Sequence, residues 1–184
     1  MITRLNRLSA SLEEGRSPIL LTERRDHLEY LARRLEKFAR HLIVLRGGMG
    51  SRERRRMMER LAAIRDTEER LVLATGRYVG EGFDDARLDT LFLTLPVSWK
   101  GTLIQYAGRL HRPHPHKSMV RIFDYVDRGV PMLERMFEKR LRGYRAIGYA
   151  RGEAPLGFGD APAELVLEYD EQALGARESA GDFA

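Results

Sequence analysis

Residues 71–112, LVLATGRYVGEGFDDARLDTLFLTLPVSWKGTLIQYAGRLHR, hold two short apolar runs, LVLAT and LDTLFLT, with a glycine-bearing loop between them and a helix-like segment after them. Apolar runs of about five residues that do not alternate with polar ones suit parallel strands buried on both faces. Loops leaving the carboxyl ends of such strands commonly carry the functional groups. The stretch is therefore both a piece of sheet and a candidate site.

Working outward, PILLT at residues 18–22, LIVL at 42–45 and KSMVRIFDY at 117–125 read as further strands. Between the first two, Leu28, Leu31, Leu35 and Phe38 recur at three- and four-residue spacings, which predicts a helix from about residue 22 to residue 40 with one apolar stripe. RGGMG at 46–50 is a turn, with Ser51 as the expected N-cap of a helix whose inner side is Met57, Met58, Leu61 and Ile64. A last long helix is expected over residues 130–149, turning Leu133, Met136, Phe137, Leu141 and Tyr144 inward. Strands alternating with helices of this length predict an α/β fold, a mostly parallel sheet with helices on both faces.

The predicted organisation has three parts. Residues 1–15 form an amphipathic connecting helix through Ile2, Leu5, Leu8 and Leu12, closed by Gly15. Residues 16–150 form the α/β domain. Residues 151–184 form an acidic tail, with a linker-like 152–163 and a candidate edge strand at LVLEY, 165–169.

The chain of 184 residues is large enough for an ordinary core, and it has no cysteine, which excludes disulfides, thiolate metal sites and cysteine nucleophiles. No apolar run reaches the roughly 20 residues of a membrane helix, and the start lacks a signal-peptide core, so no membrane partner and a cytoplasmic location are expected. The net charge of +5 is uneven: residues 151–184 carry two arginines against eight carboxylates, leaving the first 150 residues at +11. A body so basic favours polyanions such as nucleic acid or nucleotide phosphates. A solvated arginine-rich surface is the alternative, also for the run Arg52, Arg54, Arg55 and Arg56, which cannot all point one way on a helix.

In the loop over residues 75–85, Gly76, Gly80 and Gly82 permit tight turns whose N–H groups face an anion; Thr75 offers a hydroxyl and Asp84 a carboxylate for a ribose or an arginine. The following helix, expected over residues 102–111 and stopped by Pro113, places Gln105, Arg109 and Arg112 on one face beside Gly108. Two arginines so placed can neutralise charge on a transferring phosphoryl group. Surface salt bridges are the simpler use for them. Trp99 and Lys100 suit stacking on or contact with a nucleic-acid strand, or else packing beside Pro96. His111, His114 and His116 lie in a proline-spaced loop with no fixed carboxylate, and no metal is assigned to them.

In their order, these segments resemble the second RecA-like domain of superfamily 2 helicases and translocases, of the DEAD/DEAH and restriction-subunit-like kind. Residues 71–93 look like motif V, QYAGRLHR at 105–112 looks like motif VI in its Q-x-x-G-R-x-x-R form, and the segment from residue 18 resembles motif IV with its helix. The resemblance implies a three-layer RecA-like fold and the C-terminal motor half of an ATP-dependent nucleic-acid enzyme. It implies arginine-finger roles for Arg109 and Arg112, nucleotide contacts for Gly82, Asp84 and Gln105, and backbone contacts to DNA or RNA from Thr22, Arg24, Thr75 and Gly76. ATP and Mg²⁺ are implied as cofactors of the complete two-domain enzyme, with none held by this chain alone.

The chain has neither a G-x-x-x-x-G-K-[ST] segment nor a DEAD or DExH box. A first RecA-like domain, in cis or in trans, is therefore the expected partner, and the chain is not expected to turn over ATP unaided. A non-catalytic basic module that binds nucleic acid or docks to a helicase is the alternative.

Overall fold

A computed structural model describes residues 2–80, 83–94, 100–125, 129–151 and 164–170. The elements are α1 (Ile2–Glu13), β1 (Pro18–Thr22), α2 (Arg25–Leu35), β2 (Leu42–Leu45), α3 (Ser51–Ala62), β3 (Leu71–Thr75), α4 (Gly76–Gly80), β4 (Thr90–Leu93), α5 (Lys100–Leu110), β5 (Met119–Tyr125), α6 (Pro131–Ala146), β6 (Ala150–Arg151) and β7 (Glu164–Asp170). Strand order across the sheet is β2-β3-β1-β4-β5-β7-β6. The first five strands are parallel; β7 runs antiparallel to β5, and the two-residue β6 antiparallel to β7. The α/β reading from sequence holds; the segment expected as an edge strand at 165–169 is β7, which lies one place inside the edge because β6 pairs outside it.

Strands β1 to β4 are almost wholly apolar because each lies between two helical layers. On one face Leu20, Leu71, Leu73, Phe92 and Phe123 pack under Leu8 and Leu12 of α1 and Leu28, Leu31 and Leu35 of α2. On the other, Ile19, Leu21, Val72, Ala74, Leu91 and Ile122 meet Leu61, Tyr78, Ala107, Leu110 and Tyr144 from α3, α4, α5 and α6. Alternate residues of one strand thus feed opposite cores. The helix α1 is packed as part of the body, and Gly15 (φ +72°) ends it in a Schellman turn, with Arg16 N–H on the Ser11 carbonyl at 3.0 Å. Among the described residues no helix is long and apolar enough to cross a membrane.

Three local expectations change. The helix α2 stops at Leu35, and Phe38 is 51% exposed instead of completing the stripe, because the turn over residues 36–38 breaks the helical register. Ser51 is the first helical residue of α3; Gly50 is its N-cap and supplies no side-chain bond. The glycine loop after β3 opens with a short helix, Gly76–Gly80, in which Tyr78 and Val79 turn into the core.

Candidate functional site

The parallel register sets Thr22 directly beside Thr75 at the carboxyl ends of β1 and β3. Both are buried. The Thr22 hydroxyl is 2.8 Å from His27 Nδ1, and the Thr75 hydroxyl accepts the Gly47 N–H at 2.9 Å, pinning the turn after β2 to the end of β3. Arg25 donates to the Gly47 carbonyl at 2.9 Å from the other side. A cavity of about 290 Å³ opens among Glu23, Arg25, Gly47, Gly48 and Thr75. The threonine hydroxyls are thus engaged inside the protein, and this edge offers a ligand its turn backbone and the Arg25 guanidinium. Arg24 is exposed and paired with Asp26 at 2.5 Å.

Gly76 is required by its neighbours. A Cβ there would collide with the Tyr106 hydroxyl of α5 and lie 2.7 Å from a Glu23 carboxylate oxygen. Burial, with the Glu23 charge adding to it, pushes the Tyr106 phenol up to about 12, so the hydroxyl stays protonated. Tyr106 and Glu23 were not legible as site residues, since only the fold brings the neighbour of Gln105 against the neighbour of Thr75.

On α5 and the turn after it, the two arginines have different settings. Arg109 is partly buried; its Nη1 donates to the Phe83 carbonyl, and its buried Nε has no hydrogen-bond partner among the described residues. Arg112 lies past the end of α5, 58% exposed at its side chain, with Nη2 3.1 Å from Asp84 Oδ2. The segments around residues 83–84 and 105–112 are therefore joined by two arginine contacts to adjacent residues. Gln105 is exposed on the same helix, and Gly108 has open space where a side chain would stand. Gly82 and Trp99 lie outside the described residues, and Lys100 is placed only as the first residue of α5.

The histidine loop is held together by protein contacts. His111 Nε2 lies 2.9 Å from the Tyr149 hydroxyl, and His114 Nε2 3.5 Å from Asp66. Lys117 Nζ donates to the carbonyls of Leu110 and Arg112, each at 2.7 Å, closing the carboxyl end of α5. Among the described residues no group of three or more His, Cys, Asp or Glu is arranged to hold a metal ion.

The C-terminal part of the Fun30 ATPase domain superposes with a TM-score of 0.63 at 14% identity, over 74% of this chain and 44% of that one. Weaker superpositions are found with domain 2 of the DEAD-box helicase Mss116p bound to an RNA duplex (TM-score 0.46, 12% identity, 62% of this chain and 44% of that one) and with the S-adenosylmethionine-dependent methyltransferase SibL (0.43, 15%, 90% and 54%). The first is a likeness of fold, and the chain spans less than half the length of that structure. No curated protein matches the chain in sequence. Residues 2–114, well over half of the chain, match the family model of the helicase conserved C-terminal domain, and the chain belongs to that family.

Proposed function

We propose that the chain is the C-terminal motor half of an ATP-dependent DNA or RNA helicase or translocase of the cytoplasm, acting with a first RecA-like domain in cis or in trans. The observation that carries this reading is the joining of two segments at one edge, Arg109 to the Phe83 carbonyl and Arg112 to Asp84, within a helicase C-terminal domain. The residues present fit the rim of a nucleotide site and not its cradle. The partner domain would supply the phosphate loop and the Mg²⁺ carboxylate that this sequence lacks.

Bound ATP with Mg²⁺ would supply the phosphoryl group whose transfer drives the motor. Arg112 is the better finger of the two, because it is exposed and held by one carboxylate that it can exchange for a phosphate oxygen. Arg109 positions it by fixing α5 against Phe83. Gln105, exposed one turn earlier, would line the same cleft. At the other edge, the turn at Gly47 and Gly48 and the strand end at Thr75 and Gly76 would follow a nucleic-acid backbone without reading its sequence. Tyr106 lies between the two edges, against Gly76 and next in sequence to Gln105, and so supports coupling between them.

The test is nucleic-acid-stimulated ATPase of this chain combined with a Walker A-bearing RecA-like partner. Arg112→Ala is expected to lower turnover by about 10³-fold or more, the usual worth of an arginine finger. Unchanged turnover would sink the assignment. The second reading, a non-catalytic nucleic-acid-binding module, is favoured by the basic body and the missing Walker A segment. It predicts nucleic-acid binding with no ATPase from any such combination.

A further inference from the structure

Of the arginine run on α3, one member turns inward: the Arg54 guanidinium lies over the Tyr78 ring at 5.2 Å. Arg52, Arg55 and Arg56 point the other way, and Arg60 continues their face, since positions i, i+3, i+4 and i+8 stay within one side of a helix. All four are exposed, and among the described residues none has a carboxylate partner. Glu59 lies on this face too, exposed and unpaired; Glu53, at its margin, is taken by Arg46 at 3.2 Å. The face keeps a charge of +3.

Arg52, Arg56 and Arg60 are spaced four apart, an arrangement in which like charges repel along a helix. Glu59 offsets one of these charges, and among the described residues no ion pair ties down the others, while the opposite face of α3 is anchored by Leu61, Met57 and Met58. The row extends over about 12 Å, the axial length of roughly three to four phosphates on one strand of a duplex. It starts directly after the turn whose Gly47 and Gly48 line the cavity beside Thr75.

We infer that the outer face of α3 is a second, sequence-independent docking surface for a nucleic-acid backbone, with Arg52, Arg55, Arg56 and Arg60 contacting successive phosphates. This rests on the reading that nucleic acid is the ligand of the adjoining edge, and adds a surface outside it. A duplex is the fitting form, because its phosphates are held at fixed spacing while the row is rigid.

Anisotropy titration of the full chain with short labelled duplex and single-stranded DNA, over a series of salt concentrations, tests it. Arg52→Gln/Arg56→Gln/Arg60→Gln is compared with a charge-matched control across the sheet, on α2 and the turn that follows it, Arg33→Gln/Arg34→Gln/Lys37→Gln; circular dichroism checks that both stay folded. The α3 variant is expected to bind duplex at least about tenfold more weakly, with a salt slope shallower by about 0.9 for each lost phosphate contact. The control should stay near the unmodified chain. Equal losses in the two variants, no binding by the unmodified chain at low salt, or duplex affinity unchanged in the α3 variant while polyglutamate binding is lost would each overturn the inference; the last would assign the face to an acidic protein. A retained α3 effect with an unaffected Arg112→Ala ATPase would instead overturn the motor reading alone.

Discussion

Of the aspartate–arginine pairs that join separate segments of this domain, Asp124–Arg140 and Asp84–Arg112 have opposite settings. Asp124 of β5 receives Arg140 of α6 through two bonds of 2.7 and 2.8 Å and the Tyr144 hydroxyl at 2.9 Å, with both charged side chains almost wholly excluded from solvent. Asp84 receives Arg112 through one contact of 3.1 Å, with both side chains more than 40% exposed. Burial pushes the Asp124 carboxyl up, while the Arg140 fork and Tyr144 pull it the other way and keep the cluster satisfied. The first pair can only be structural. The second can give up its carboxylate for another anion at little cost, because water already screens it.

The sharpest way to break the contrast is to remove one partner from the interior. Arg140→Ala leaves Asp124 buried without its counter-charge, which costs about 3–5 kcal/mol and lowers the melting temperature by roughly 10 °C. Thermal unfolding by circular dichroism reads this directly. If the loss is under about 1 kcal/mol, the pair behaves like a surface bridge and the contrast fails. Asp124, Arg140 and Tyr144 all lie beyond the residues that match the family model, so the same measurement shows whether α6 is core or appendage.

Gly76 falls between the two extremes. Gly76→Ala forces the Tyr106 hydroxyl or the Glu23 carboxylate to move, an overpacking cost of about 1–3 kcal/mol. Glu23 is exposed and can swing away, whereas Tyr106 is held in the core and cannot yield cheaply, so the expected value is near the upper end. Urea unfolding of the variant measures it, and Gly76→Ala combined with Tyr106→Phe should recover most of the loss. No recovery would mean that the hydroxyl is not what excludes a side chain there.

The same contrast explains what could be read in the sequence. Runs such as LVLAT and PILLT announce themselves because burial on two faces demands unbroken apolar strands, and the helix stripes of α2 and α3 follow from their periods. Tyr144 was legible as an inward residue of α6, but its cluster with Asp124 and Arg140 was not: the partners of Asp124 are 16 and 20 residues away, and Asp124 and Arg140 are ordinary surface residues by type. The roles of Thr22 and Thr75 were half legible. Their position at the strand ends follows from the parallel register, but that their hydroxyls are spent on His27 and Gly47 depends on turns no spacing encodes. Phe38 misled because a three-residue turn breaks the helical register after Leu35.

The smallest expected effect on stability is the most telling for function. Arg112→Ala removes a single exposed ion pair, worth about 0–1 kcal/mol, so its unfolding midpoint should be nearly unchanged. Its partner Asp84 stays hydrated, so no buried charge is stranded. A residue that costs the fold almost nothing and the motor about 10³-fold is one whose guanidinium is kept for a ligand. Should Arg112→Ala destabilise the domain as much as Arg140→Ala, the pair would be a clamp between α5 and the residue 83–84 segment, and the proposed finger role would fall to Arg109. That residue is the less suited of the two, since leaving the Phe83 carbonyl would open the contact that holds α5 in place.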